Sequence, residues 1–320
     1  MFDVEVSLGG IFMRKYNWFE TAGEATIYGV QWLPDKNPIG IIQISHGVTE
    51  YIERYEEFAK FMTARGFIVC GNDHRGHGSS CDASKTPMYL GDKGAWFDVA
   101  EDLYNVSCKM KEEYPKLPYI LLGFSMGSFL VRTALIKHPE MADAAIIAGT
   151  GQQNSIAIKL AKYLAGQEEA KYGYAQTTKK IDELTFGTYN KKFGPAKTKF
   201  DWLSSDENAL EKYLLDPKRG DSMTVGLFSE MLDGMRFVGD IKNIRKMNRY
   251  VPVFFISGDK DPVGEMGRGV KRAAAAFHKA GVRMIDVVLY RGCRHDIFHD
   301  VCKEEVYNDI FVWIKQTTQI

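Results

Sequence analysis

The chain has 320 residues, 45% of them hydrophobic and 26% charged, so it is long enough to bury a large core and too apolar to be disordered. Lys plus Arg and Asp plus Glu both number 41, which leaves no net field to attract nucleic acid or an anionic membrane. No apolar run approaches the roughly 20 residues of a membrane-spanning helix, and the first five residues carry acid where a secretory signal carries base, which points to the cytoplasm. Cys70, Cys81, Cys108, Cys293 and Cys302 are odd in number and scattered, with no C-x-x-C pair, so the expectation is reduced, mainly structural thiols.

Taken in chain order, residues 3–32 lack a helical period and alternate at Thr26, Tyr28, Val30 and Trp32, which predicts antiparallel edge strands. Short apolar runs at 39–45, 67–72 and 119–124 are strand-sized and end in glycine or polar turns. Helices are predicted over 53–66, where Tyr55, Phe58, Phe61 and Met62 recur at helical spacing before Gly66, and over 126–138, which Pro139 terminates. Further strands are predicted at 144–148, 251–257 and 284–290, and helices at 268–280 and 302–315. Near-continuous apolar strands alternating with helices define an α/β fold with a mostly parallel sheet covered on both faces. Residues 151–240 interrupt this grammar with amphipathic, aromatic-rich and Met-rich segments of balanced charge. The expected organisation is a core over 1–150 and 241–320 with a helical cap inserted at 151–240.

The chemistry concentrates at Gly123-Phe124-Ser125-Met126-Gly127, between a predicted strand and a predicted helix. A sharp strand-to-helix turn exposes a serine hydroxyl, and the helix start beside it offers free N–H donors. Serine is a weak nucleophile until a base takes its proton and a third group orients that base. On such a sheet the acid and the base follow in that order, each in a loop after a later strand. The loop after 251–257 holds Asp259 and Asp261; Asp261, deeper and beside Pro262, is the candidate acid, with Asp259 its competitor. The loop after 284–290 holds His295, the candidate general base. The tetrahedral intermediate needs two backbone donors: the N–H of Met126, and that of Val48 in the loop following 39–45. His46 is read as structural.

These residues resemble the α/β-hydrolases, and within them the branch of monoacylglycerol lipases, lysophospholipases and serine aminopeptidases. The resemblance rests on His46-Gly47 with Glu50 and Arg54-Tyr55, on the run from Asp73 through His74, Arg75, Gly76, His77 and Gly78 to Ser80, on the serine motif, on Gly258 with Asp261, and on Arg294-His295-Asp296. It implies a helical cap at 151–240 and no direct chemical role for His74 or His77. Val48, Tyr51 and Asp296 depart from the branch's usual residues.

His295 with His299, and His74 with His77, offer imidazoles to a metal, but no H-E-x-x-H motif is present and no metal is expected. Gly76-His77-Gly78 lacks the third glycine and the helix of a dinucleotide site, so no cofactor is expected. The expected partner is a small-molecule ester, lipid-like, cleaved through an acyl-enzyme; transient contact with a membrane surface is compatible with this, and the oligomeric state is not legible. Two alternatives stay open: amide cleavage by the same residues, which would require a cap carboxylate such as Glu168, Glu169, Asp182 or Glu183 to hold a free amine, and a non-catalytic ligand-binding protein on the same fold.

Overall fold

A computed structural model describes residues 3–6, 12–19, 26–81 and 86–320. Of the N-terminal stretch predicted as edge strands, 7–11 and 20–25 lie outside the described residues; the rest supplies β1 (Asp3–Val6), β2 (Phe12–Phe19) and β3 (Thr26–Leu33), paired antiparallel in that order. The other strands are β4 (Gly40–Ser45), β5 (Phe67–Asn72), β6 (Tyr119–Phe124), β7 (Ala144–Ala148), β8 (Val253–Gly258) and β9 (Ile285–Tyr290). Together they make one mixed sheet in the order β1-β2-β3-β5-β4-β6-β7-β8-β9, parallel from β5 through β9.

The apolar runs are strands because both their faces are covered. Ile41, Leu121, Ala145, Ile147 and Phe255 point into one core, and Ile42, Ile44, Ile120, Leu122, Ile146 and Phe254 point into the other. The first face is covered by α2 (Ala95–Glu113), α3 (Met126–Lys137) and α9 (Arg268–Ala280), the second by α1 (Glu56–Thr63) and α10 (Lys303–Thr318). The sequence reading did not include α2. Arg75 reaches that helix with a forked ion pair onto Asp102, at 2.7 and 2.9 Å.

Residues 151–240 carry α4 (Ser155–Tyr172), α5 (Lys179–Thr185), α6 (Glu207–Leu215) and α7 (Val225–Gly239), and the single turn α8 (Ile241–Ile244) follows. Asn154, Thr178, Asp206 and Thr224 cap the first four helices with side-chain oxygens. Helix α7 packs into the same core as α2 and α3, and its buried Glu230 accepts the N–H groups of Gly94 and Trp96 at the start of α2. Phe200, Trp202 and Tyr213 form a separate small cluster.

One expectation needs correction. Cys293 and Cys302 are bridged rather than reduced, while Cys70 and Cys108 are free. A nine-residue separation matches no recognised sequence spacing; it is the return of the loop after β9 that brings the two Cα atoms to 6.4 Å.

Candidate active site

Because β4, β6, β8 and β9 run parallel, the loops that follow them open at the same edge of the sheet, where ligands of such sheets bind. Those four loops carry Val48, Ser125, Asp261 and His295. Ser125 is the residue between β6 and α3, with φ 52° and ψ −118°, a left-handed-side conformation that L residues rarely adopt. Two anchors hold it there: its N–H donates to Ala148 O at 3.0 Å, and its carbonyl accepts from Ser128 N at 2.9 Å and Ser128 Oγ at 2.6 Å. The flanking glycines are steric necessities. A Cβ at Gly127 would lie 1.9 Å from Ser45 O, and one at Gly123 would lie 2.4 Å from Gly127 O.

His295 Nε2 lies 2.9 Å from Ser125 Oγ. On the other side of the ring, Nδ1 is 3.0 Å from Asp261 Oδ1, within ion-pair reach although not aligned as a hydrogen bond. Asp261 is fully buried and fixed by Ser257 Oγ at 2.9 Å and by Val263 N at 2.8 Å. The competitor Asp259 instead accepts Gly292 N at 2.8 Å and faces Lys260. The structure therefore brings Ser125, His295 and Asp261 together and leaves Asp259 apart. Among the described residues, neither Val48 N–H nor Met126 N–H takes part in the backbone hydrogen bonds of the loops and turns. Val48 lines a small chamber with Ser125 and His295, and Met126 N–H is an orphan donor at the start of α3.

Behind the chamber lies a buried charge network to which the sequence reading gave no role. Glu50 Oε1 accepts the N–H of Gly47, in the turn that presents Val48, and the hydroxyl of Tyr55 at 2.8 Å. Arg54 lies between Glu50, at 3.3 Å, and Asp296, at 3.0 Å, while its guanidinium covers the ring of Tyr213. Burial pushes the Glu50 carboxyl up, opposed by Arg54. Burial would also raise Asp296, but His299 and Arg54 outweigh it and hold that carboxyl at about 2. His299 shows the converse: burial lowers it, and Asp296 at 2.9 Å raises it overall. The only hint in the sequence was the clustering of Glu50, Arg54 and Asp296 within motifs of known type.

His46, His74 and His77 form a second buried group beneath the nucleophile, with His46 and His74 ring centroids 4.1 Å apart. Burial lowers all three, His74 to about 3 and His77 to about 4. Among the described residues, no three His, Cys, Asp or Glu side chains are grouped to hold a metal ion.

A nine-stranded mixed sheet with a serine on the turn after β6, and with the Asp and His loops after β8 and β9, defines the α/β-hydrolase class. The family described as serine aminopeptidase, S33, matches residues 36–301, and the chain belongs to it. Among curated relatives, the monoacylglycerol lipase of Mycolicibacterium smegmatis is 23% identical over 94% of this chain and 96% of its own. The monoglyceride lipase of Homo sapiens is 26% identical over 90% and 86%. Among solved structures, a thermostable carboxyl esterase from Bacillus coagulans superposes with a TM-score of 0.88 at 26% identity, covering 95% of this chain and 98% of that one.

Proposed function

We propose that the protein is a serine hydrolase of carboxylic esters with lipid-like acyl groups, of the monoacylglycerol or lysophospholipid kind. The observation that carries this reading is His295 Nε2 at 2.9 Å from Ser125 Oγ with Asp261 behind the same ring. Ser125 Oγ attacks the ester carbonyl as His295 takes its proton, and Asp261 orients the ring and stabilises the imidazolium. The N–H groups of Val48 and Met126 receive the negative oxygen of the tetrahedral intermediate; such a donor is worth about 3–4 kcal/mol of barrier. His295 returns the proton to the departing alcohol, then activates the water that frees Ser125 from the acyl group.

The lipid-like acyl group is supported by an apolar cavity of about 530 Å³ between α4, α5 and α7, walled by Ile158, Leu184, Phe228, Met231 and Met235 and reaching Pro262 beside Asp261. In this reading 151–240 is a cap over the site. The outer face of α4 exposes Ile156, Leu160 and Tyr163 at helical spacing, which supports transient contact with a lipid surface. The carboxylates lining the chamber, Glu50 and Asp296, are both engaged by Arg54 and so are poorly placed to hold the free amine that an aminopeptidase binds.

The test is a panel of p-nitrophenyl esters from acetyl to palmitoyl beside aminoacyl p-nitroanilides, with Ser125→Ala as the blank. Turnover favouring medium or long acyl esters, absent from the blank, is expected. Ester turnover by Ser125→Ala would refute the nucleophile, and a preference for anilides would make the protein a peptidase.

A further inference from the structure

The chamber at Ser125, bounded by Val48, Phe124, Phe186, Trp202, Tyr213 and His295 among others, encloses about 20 Å³. That is room for one water molecule, which needs on the order of 10–15 Å³. The apolar cavity of about 530 Å³ touches neither Ser125 nor His295. One aromatic wall separates the two spaces. The indole of Trp202 has its centroid 5.2 Å from the His295 ring on the chamber side and 4.8 Å from the ring of Tyr189, which lines the cavity. A chain lying in the cavity cannot present its ester to Ser125 while that wall stands.

The wall has a fixed backbone and an unattached side chain. Trp202 N–H donates to Asn190 Oδ1 at 2.9 Å, and Leu203 O accepts from Asp296 N at 2.7 Å. Arg294 donates to the carbonyls of Asp201 and Ser204. The segment is thus stitched to the loop that carries His295. The indole N–H, by contrast, is buried and has no acceptor among the described residues, in a side chain 4% exposed. No hydrogen bond holds it; it is packed in a cluster whose other buried members are Phe200 and Tyr213.

We infer that Trp202 is a specificity-determining partition, whose side chain swings on a fixed backbone to join the chamber of Ser125 to the apolar cavity and so sets which acyl lengths reach the nucleophile. This rests on the ester-hydrolase reading above. A short acyl group asks little of the wall, whereas a long one reaches Ser125 only when the indole has left its place between His295 and Tyr189. Replacing the ring with a small side chain leaves one continuous space.

The experiment measures second-order labelling rates of the full chain by an ethyl and a dodecyl fluorophosphonate, in wild type, Trp202→Ala and Trp202→Phe. In the labelling step Ser125 Oγ forms the bond to phosphorus, fluoride leaves, and His295 takes the hydroxyl proton. Trp202→Ala raises the dodecyl-to-ethyl rate ratio by about tenfold or more, and Trp202→Phe, a smaller ring, raises it by about threefold. Dodecyl labelling of the wild type also shifts the tryptophan emission, a shift that ethyl labelling and the Trp202→Phe variant lack. An unchanged or lowered ratio in Trp202→Phe overturns the partition, and this variant carries the test if Trp202→Ala does not fold. Failure of both probes to label wild-type Ser125 overturns the ester-hydrolase reading instead.

Discussion

Arg54 Nη2 lies 3.0 Å from Asp296 Oδ2, with both side chains less than a tenth exposed, so the turn presenting Val48 and the loop presenting His295 share one buried cation. Asp296 also donates its N–H to Leu203 O, and Thr49 Oγ1 is 2.9 Å from the hydroxyl of Tyr213, which extends the linkage to residues 151–240. Removing the guanidinium leaves Glu50 without a cation and Asp296 with His299 alone, a change that typically costs about 3–5 kcal/mol. Arg54→Met is therefore expected to lose about that much stability in denaturant unfolding. Neutralising the carboxylates in the same chain, with Glu50→Gln and Asp296→Asn, is expected to recover at least half of it. Equal stability of Arg54→Met and wild type would mean that the network contributes nothing.

The two acids after β8 differ in what they touch. Asp261 Oδ1 faces His295, while Asp259 holds the N–H of Gly292 at the surface of the loop. Asp261→Asn removes the charge that stabilises the imidazolium and is expected to lower kcat by about 10⁴-fold with little change in KM. Asp259→Asn is expected to leave kcat near wild type. The reverse ranking in steady-state assays would transfer the acid's role to Asp259.

The strands β4 to β8 were legible because burial on both faces makes them near-continuous apolar runs, and the loops after β6, β8 and β9 were legible because Ser, Asp and His follow in the order such a sheet imposes. Helix α2 was legible in principle: Trp96, Val99, Leu103, Val106 and Met110 recur at helical spacing, but acidic residues such as Asp98, Glu101 and Asp102 break up the apolar pattern. Three features could not be read from the residues. The Cys293–Cys302 bridge depends on how the loop after β9 folds back. The charge network joins residues 242 apart in sequence, Arg54 and Asp296. Trp202 is one of many aromatic residues between 151 and 240, and only the tertiary fold sets it against His295.

The backbone of Ser125 makes a prediction independent of catalysis. At φ 52° and ψ −118° a glycine is relaxed where any residue with a Cβ is strained, at a cost of order 1–3 kcal/mol. Ser125→Gly and Ser125→Ala should be equally inactive, yet the glycine variant should unfold at higher denaturant, more stable by about 1 kcal/mol after the extra chain entropy of glycine is counted. Equal midpoints would show that the turn stores no strain at this residue.

The three imidazoles beneath the nucleophile predict acid lability with a definite sign. In the unfolded chain each protonates near pH 6.5, whereas in the folded protein burial holds His74 to about 3 and His77 to about 4, with His46 also lowered well below its ordinary value. Between those limits the unfolded state binds more protons, so stability falls as pH falls from about 6.5 toward 4, approaching about 1.4 kcal/mol per pH unit for each ring. His299 works the other way: its raised folded value contributes stability that is complete below 6.5 and is lost as pH rises through that value. Asp73, which burial raises to about 7, and the raised Glu50 and Asp102 carboxyls oppose the lowered rings as His299 does, so the share of one ring is read from the difference between wild type and a variant lacking it. Replacing His77, whose Nε2 is buried without a partner, by Asn should raise stability relative to wild type as pH falls from about 6.5 toward 4, by up to about 1.4 kcal/mol per pH unit. A stability difference between wild type and His77→Asn that does not change with pH would mean that this ring does not stay neutral when folded.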